Sequence, residues 1–210
     1  QIAALMDADP TLEVHLVAHS AGAVLFGPLC RLLTARGAIN DGVLAGSAGL
    51  AHTISSCTLW ALACTISFFE TMFKPAIDAR LLRRFSLFTL SDKAEQDDDC
   101  VGIYHKSLLY LISNAFEDRP RIPLVRDGEP LLGMATFVRQ DASLVSLLGA
   151  NWVVTPNTQE PPNGSAARRH VDFHSDPATL QSTLARILAD SSGKAAPSAS
   201  KARPVRLPRS

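Results

Sequence analysis

The alternation of hydrophobic and polar positions changes abruptly near the start of the chain. An apolar run over residues 12–18 stops at His19-Ser20-Ala21-Gly22, and apolar residues then return at helical spacing. A serine on a tight turn between a strand and a helix holds its hydroxyl above the sheet edge, provided that small residues flank it. The pattern predicts such a nucleophile elbow at Ser20, although an ordinary turn with a helix-capping serine would look similar.

Apolar strands alternate with amphipathic helices along the rest of the chain. The predicted strands are residues 12–18, 58–63, 85–90 and 152–155. The predicted helices are residues 21–35, 66–79, 104–116 and 177–188, and a shorter one covers residues 2–6. Such alternation is typical of a parallel sheet. We therefore expect an α/β fold over residues 1–190, with a mostly parallel sheet flanked by helices.

Residues 191–210 differ in composition from everything before them. They combine Ser, Ala and Pro with isolated Lys and Arg, and they show no hydrophobic periodicity. A segment without an apolar face cannot bury enough surface to offset the entropy of ordering. We expect a disordered basic tail after a single α/β domain.

Composition and charge exclude several classes of partner. The chain has 210 residues, of which 47% are hydrophobic, enough for one sizeable core. Twenty basic residues balance twenty acidic ones. Electrostatic capture of nucleic acid or of an anionic membrane is therefore not expected.

One long segment without charged residues needs a test for membrane insertion. No Asp, Glu, Lys or Arg occurs between Asp41 and Glu70, but Gly, Ser, Thr and His interrupt the segment. Its densest apolar part, residues 59–69, is shorter than the ~20 residues that a spanning helix needs. We expect no transmembrane segment.

The cysteines bear on the cellular compartment. Cys30, Cys57, Cys64 and Cys100 show no CxxC spacing, and three of them lie in or beside apolar runs. Buried thiols without a disulfide framework fit a reducing compartment, so we expect a cytoplasmic protein.

Several motifs resemble the α/β-hydrolase superfamily, and more narrowly a group of bacterial serine hydrolases, lipase-like or esterase-like, with no settled substrate. They are Ala-His-Ser-Ala-Gly at 18–22, Thr-Leu-Trp-Ala-Leu-Ala-Cys-Thr at 58–65, Phe-Thr-Leu-Ser-Asp-Lys-Ala-Glu-Gln-Asp-Asp at 88–98 and Lys-Ser-Leu-Leu-Tyr-Leu-Ile-Ser-Asn-Ala-Phe at 106–116. The resemblance runs from about residue 12 to about residue 188. The elbow begins with Ala18, whereas the usual pattern is Gly-x-Ser-x-Gly.

The resemblance implies a catalytic triad in the order serine, acid, histidine. Asp92 is the preferred acid, because it follows a strand rich in Phe and Leu and catalytic groups of such sheets gather at the carboxyl ends of strands. It could equally be a helix N-cap. Asp97, Asp98 and Asp99 are competing acids. Three adjacent carboxylates also fit a solvated loop or a cation site, but no second set of ligands is visible, so no metal is predicted.

His170 is the preferred base, since it lies between the last strand and the final helix. Similar family members carry His-Gly-Gly-Phe-Asp here, whereas this chain has His-Val-Asp-Phe-His at residues 170–174. Both glycines are absent, so His174 remains an alternative base. His19 is expected to face away from the nucleophile. The other histidines are interpreted as structural or exposed: His15, His52 and His105.

The implied activity is hydrolysis of a small-molecule ester through an acyl-enzyme on Ser20, with thioester and amide hydrolysis as alternatives. His170 would accept the serine proton, Asp92 would orient the imidazole, and the Ala21 amide would supply half of an oxyanion hole. No cofactor is expected.

The alternative is an inactive interaction or scaffold module. The chain begins with Gln, in the helix before the elbow strand, whereas a complete domain of this family has further strands and a second oxyanion donor upstream. The chain thus resembles the C-terminal two-thirds of a hydrolase, and we expect its hydrolase domain to be N-terminally incomplete.

The tail should be dispensable for folding. Because residues 191–210 offer no apolar face, a chain truncated at Ser191 should melt at the same temperature as the full chain. Thermal unfolding followed by circular dichroism measures this. A clear loss of stability would show that the tail docks on the domain.

Overall fold

Four parallel strands lie at the centre of the computed structural model, which describes residues 1–100, 105–117 and 128–191. In chain order, the strands of the structure are β1 (His15–His19), β2 (Arg36–Ala38), β3 (Ala48–Leu50), β4 (Ser56–Trp60), β5 (Phe85–Leu90) and β6 (Trp152–Thr155). The main sheet has the order β1-β4-β5-β6, and every neighbouring pair in it is parallel. The strands β2 and β3 form a separate antiparallel hairpin. The predicted α/β fold is confirmed.

Helices connect the strands. The α-helices are α1 (Ile2–Ala8), α2 (Gly22–Thr34), α3 (Ile66–Met72), α4 (Lys74–Asp78), α5 (Asp92–Asp97), α6 (Leu108–Leu111), α7 (Ala135–Gln140), α8 (Ala142–Leu148) and α9 (Pro177–Ser191). Single turns of 3₁₀ helix cover Gly42–Leu44, Gly149–Asn151 and His170–His174, and a π-helical turn covers Ile112–Phe116.

The core lies on both faces of the sheet. Every residue of β4 and β5 is buried. Phe85 and Leu87 of β5 belong to one hydrophobic cluster, whereas Phe88 and Leu90 belong to another. Because successive strand residues point to opposite faces, the sheet separates the two clusters. This explains why β4 and β5 show no alternation of buried and exposed residues.

Helix boundaries differ from the sequence prediction where local chemistry intervenes. The helix expected over residues 66–79 is divided at Phe73 into α3 and α4, just before Pro75, which has no N–H to continue the ladder. The helix expected over residues 104–116 is shorter, because only Leu108–Leu111 is α-helical before the π turn. Tyr104 and the predicted tail from residue 192 lie outside the described residues.

Three cysteines are buried free thiols, as predicted: Cys30, Cys57 and Cys64. Burial raises the pKa of Cys30 and of Cys64 to about 12, so both stay protonated. Cys100 is partly buried. Among the described residues, no helix is long and apolar enough to cross a membrane.

The final helix is attached to the sheet by a buried arginine. Arg186 of α9 is only 4% exposed, and its guanidinium lies 5.6 Å from the centre of the Phe88 ring. It donates hydrogen bonds to Ser86 Oγ (3.0 Å), Asn151 Oδ1 (2.9 Å), Asn163 Oδ1 (2.7 Å) and the Pro162 carbonyl oxygen (2.9 Å). One side chain thus connects α9 to β5 and to the segments on either side of β6.

Replacing Arg186 by Met should destabilise the protein strongly. The substitution keeps an unbranched side chain but leaves four acceptors without their donor, so we expect a loss of about 2–4 kcal/mol in the free energy of unfolding. Urea denaturation measures it. The exposed Arg83 offers a matched control, for which Arg83→Met should cost less than about 0.5 kcal/mol. Equal effects of the two substitutions would contradict the structural role of Arg186.

Candidate active site

Ser20 lies on a strained turn between β1 and α2. Its φ angle is +54°, a left-handed conformation that costs a residue with a side chain about 1–2 kcal/mol. Backbone hydrogen bonds hold this conformation: the Ser20 N–H donates to the Trp60 carbonyl (3.0 Å), and the Ser20 carbonyl accepts from the Ala63 N–H (3.2 Å). The turn has the geometry that the sequence predicted for an elbow.

Small residues face each other beneath the turn. A Cβ atom built on Gly22 would lie 3.4 Å from the Ala18 Cβ atom, an ordinary van der Waals contact. Because Gly22 leaves that space open, the methyl group of Ala18 fits where the usual pattern has glycine. The departure from Gly-x-Ser-x-Gly therefore does not distort the turn.

His170 meets Ser20 across the end of the sheet. Its Nε2 atom lies 2.8 Å from Ser20 Oγ, and the residue is only 4% exposed. The loop before it is attached to the end of β6, where Thr155 Oγ1 contacts the carbonyl oxygens of Ser165 (2.9 Å) and Ala167 (2.8 Å). The structure thus brings together two of the predicted site residues, 150 positions apart in sequence.

The protonation of His170 follows from its surroundings. Burial, with a smaller effect of the adjacent His19, lowers its pKa to about 4, so the imidazole is neutral at pH 7. If Nε2 accepts the Ser20 hydroxyl proton, Nδ1 must carry the ring proton. Nδ1 is buried and has no hydrogen-bond partner among the described residues.

Asp92, the acid favoured from sequence, lies elsewhere. It is the first residue of α5, and its carboxylate accepts hydrogen bonds from Tyr110 Oη (2.7 Å) and Gln96 Nε2 (2.8 Å). Within the described part of the chain it makes no hydrogen bond to His170. The structure does not bring Asp92 together with the serine and histidine.

Asp98 is the carboxylate that contacts His170. It is 7% exposed, and its Oδ2 accepts a hydrogen bond from the His170 backbone N–H at 2.8 Å. Its neighbours Asp97 and Asp99 are exposed. Helical spacing indicates that Asp98 is buried whereas its neighbours are exposed. Asp98 is the C-cap of α5 and follows the buried Ala94 by four residues, so it lies at the end of the inner face of this helix.

A second acid on the inner face of α5 is buried and neutral. Glu95 is 1% exposed, and the Ser107 hydroxyl donates to its Oε2, while Oε1 has no partner among the described residues. Burial raises the pKa of Glu95 to about 8, opposed by the hydrogen bond from Ser107. With the Asp92–Tyr110 hydrogen bond, this contact attaches α5 to α6 just before Asp98.

His19 lies beside His170, a contact that the sequence did not indicate. Its Nε2 is 2.9 Å from the His170 carbonyl oxygen, and the two ring centres are 4.8 Å apart. The contact arises because the 170–174 turn closes over the end of β1. His174, the alternative base, is exposed, and its ring centre lies 6.3 Å from that of His19.

The Ala21 amide is positioned to receive negative charge. Ala21 is exposed at the N-cap of α2, and within the described residues its N–H donates no hydrogen bond. A free N–H beside the nucleophile, at the positive end of a helix, suits a developing oxyanion. In the part of the chain that the structure describes, no three His, Cys, Asp or Glu residues are grouped to hold a metal ion.

Comparison of the chain with protein-family models, with curated protein sequences and with solved structures finds no significant match.

His170 should make the protein less stable in acid. A histidine in the unfolded chain has a pKa of about 6.5. Between pH 6.5 and about 4, the unfolded state therefore binds a proton at His170, whereas the folded state does not. The folded state loses on the order of 2–3 kcal/mol of stability over this interval from His170 alone. Urea titrations of His170→Gln should show a smaller acid loss than the wild type.

The exposed His174 supplies the control for that measurement. His174→Gln removes one imidazole without changing a buried group, so its acid loss should match the wild type. An identical pH dependence in the wild type and in His170→Gln would contradict the buried, neutral state of His170.

Proposed function

We propose that this chain is a serine hydrolase of the α/β-hydrolase type, which cleaves a small carboxylic ester through an acyl-enzyme on Ser20. The observation that carries the proposal is the 2.8 Å approach of His170 Nε2 to Ser20 Oγ on a turn with positive φ at the carboxyl end of a parallel strand. A neutral hydroxyl is a weak nucleophile near pH 7, and an adjacent neutral imidazole is the group that activates it.

The reaction follows from this contact. The Ser20 proton passes to His170 Nε2 while Oγ bonds to the acyl carbon, and the Ala21 N–H donates to the resulting oxyanion. The imidazolium then protonates the departing alkoxide, which leaves an ester on Ser20. Water repeats the sequence with His170 as base, and the carboxylic acid is released. Thioesters and amides would follow the same steps with a thiol or an amine as leaving group.

The proposal assigns the triad acid to Asp98 instead of Asp92. Asp98 already holds the His170 backbone N–H, and that nitrogen is only four covalent bonds from Nδ1 of the same residue. In the proposed active arrangement the carboxylate keeps this bond and also accepts from Nδ1, which is possible because each carboxylate oxygen has two lone pairs. This contact would fix the tautomer and stabilise the imidazolium. The carboxylate of Asp92 instead binds Tyr110 and Gln96.

One observation favours the competing function, an inactive scaffold module. His170 Nδ1 has no hydrogen-bond partner in the part of the chain that is described, and with a pKa of about 4 the imidazole is a weak base in this arrangement. The two proposals differ in one measurable property, the nucleophilicity of Ser20.

Labelling with a fluorophosphonate probe tests the proposal without knowledge of the substrate. In the protein produced from its natural gene, Ser20 should be the serine that reacts, because a base and an oxyanion hole act on it. Ser20→Ala and His170→Ala should each lower labelling by several orders of magnitude, and the double variant should be scarcely worse. Mass spectrometry of the labelled peptide identifies the site.

Two matched substitutions test the assignment of the acid. Asp98→Asn should slow labelling by about 10³- to 10⁴-fold, because the amide cannot stabilise the imidazolium. Asp92→Asn should stay within a few-fold of the wild type. The reverse order would return the role to Asp92. A folded wild-type protein that does not label, or labelling that persists in Ser20→Ala, would overturn the proposed hydrolase.

A further inference from the structure

His19 ends β1 directly before Ser20, and it contacts the segment that carries the proposed base. Its Nε2 lies 2.9 Å from the His170 carbonyl oxygen, although the two residues are 151 positions apart in sequence. Its ring centre is 4.8 Å from that of His170 and 6.0 Å from that of Phe173, which is fully buried. One side chain thus touches both the backbone and the ring of His170.

The His170 residue is held through its backbone from two sides. Asp98 Oδ2 accepts the hydrogen bond from its N–H, and His19 Nε2 faces its carbonyl oxygen. The side chain itself contacts Ser20 through one nitrogen, and its other nitrogen has no hydrogen-bond partner within the described ranges. Because one hydrogen bond and the packing around the ring position the imidazole, its alignment with Ser20 also depends on how firmly the backbone beneath it is fixed.

The chemistry of this contact determines the tautomer of His19. A carbonyl oxygen can only accept, so His19 Nε2 must carry a hydrogen. Burial lowers the pKa of His19, with the His170 backbone contact opposing that effect, and the neutral ring then has its proton on Nε2. A neutral donor holds the carbonyl without placing a second positive charge beside the imidazolium that forms during catalysis.

We infer that His19 is a positioning residue, which holds the His170 carbonyl through its Nε2–H and so keeps the imidazole in line with Ser20 Oγ. The inference rests on the proposed function. His19 itself touches no reacting atom in this arrangement. It acts through the base, as residues that orient the ligands of a metal ion do in metal sites.

Two substitutions at the same position separate positioning from packing. His19→Gln keeps an N–H donor at a distance from the backbone close to that of Nε2, whereas His19→Leu keeps a similar volume without a donor. His19→Leu should lower the fluorophosphonate labelling rate, and kcat for a short acyl ester, by about 10- to 100-fold, with KM within about twofold. His19→Gln should recover most of the loss. His174→Leu, in the exposed neighbour, should behave as the wild type.

The tautomer supplies a readout that does not depend on activity. Long-range ¹H–¹⁵N NMR should show the neutral His19 ring protonated at Nε2. Labelling at the wild-type rate in His19→Leu, or an equal loss in the Leu and Gln variants with an equal fall in melting temperature, would overturn the inference. A wild-type protein that shows the Nε2–H tautomer but no labelling would instead contradict the proposed hydrolase and leave the contact between His19 and His170 intact.

Discussion

The pairing of β1 with β4 is the constraint on which the candidate site depends. The parallel ladder continues one residue past β1, because the Ser20 N–H donates to Trp60. The bond from Ala63 N–H to the Ser20 carbonyl then anchors the other side of the residue. These two contacts hold Ser20 at a positive φ angle, which the residue would not keep in an isolated turn. The serine is therefore placed by the sheet, and its hydroxyl reaches the histidine only because the strand ends where it does.

A second set of contacts fixes the histidine independently of the serine. Thr155 holds the loop after β6, Arg186 attaches α9 behind it, and Asp98 contacts His170 from the end of α5. These anchors come from segments far apart in sequence. The distance between Ser20 and His170 thus depends on the packing of the whole sheet, so a core substitution remote from both residues can alter it.

The sequence was sufficient to predict what depends on local pattern. The strands β1, β5 and β6 and the turn at Ser20 are visible as apolar runs interrupted by particular residues. Their parallel arrangement follows from the alternation with helices. The hairpin of β2 and β3 was not predicted, because its short strands contain glycine and alanine instead of an alternating pattern. The helices α7 and α8 were also missed.

The carboxylate beside His170 shows where local pattern is insufficient. Asp92 and Asp98 both follow β5 closely, and both lie on one short helix or at its end. Which of them approaches His170 depends on the rotation of α5 and on how the 170–174 turn closes over it. Helical spacing distinguishes the buried Asp98 from Asp97 and Asp99, but it does not show which distant segment lies against it. The contact of His19 with His170 was not predicted for the same reason, since its neighbour comes from the far end of the sequence.

The neutral state of Glu95 changes the charge of the folded protein. The sequence has equal numbers of acidic and basic residues, but a carboxyl with a pKa of about 8 is mostly protonated at pH 7. In the unfolded chain the same group is ionised, since its ordinary pKa is 4.5. The chain must therefore take up nearly one proton at Glu95 when it folds at neutral pH, and the folded form is about one charge more positive than its sequence suggests. The contribution of Glu95 to stability is complete below pH 4.5 and is lost as the pH rises through 8. At alkaline pH the folded chain releases this proton, and the buried negative charge then favours unfolding.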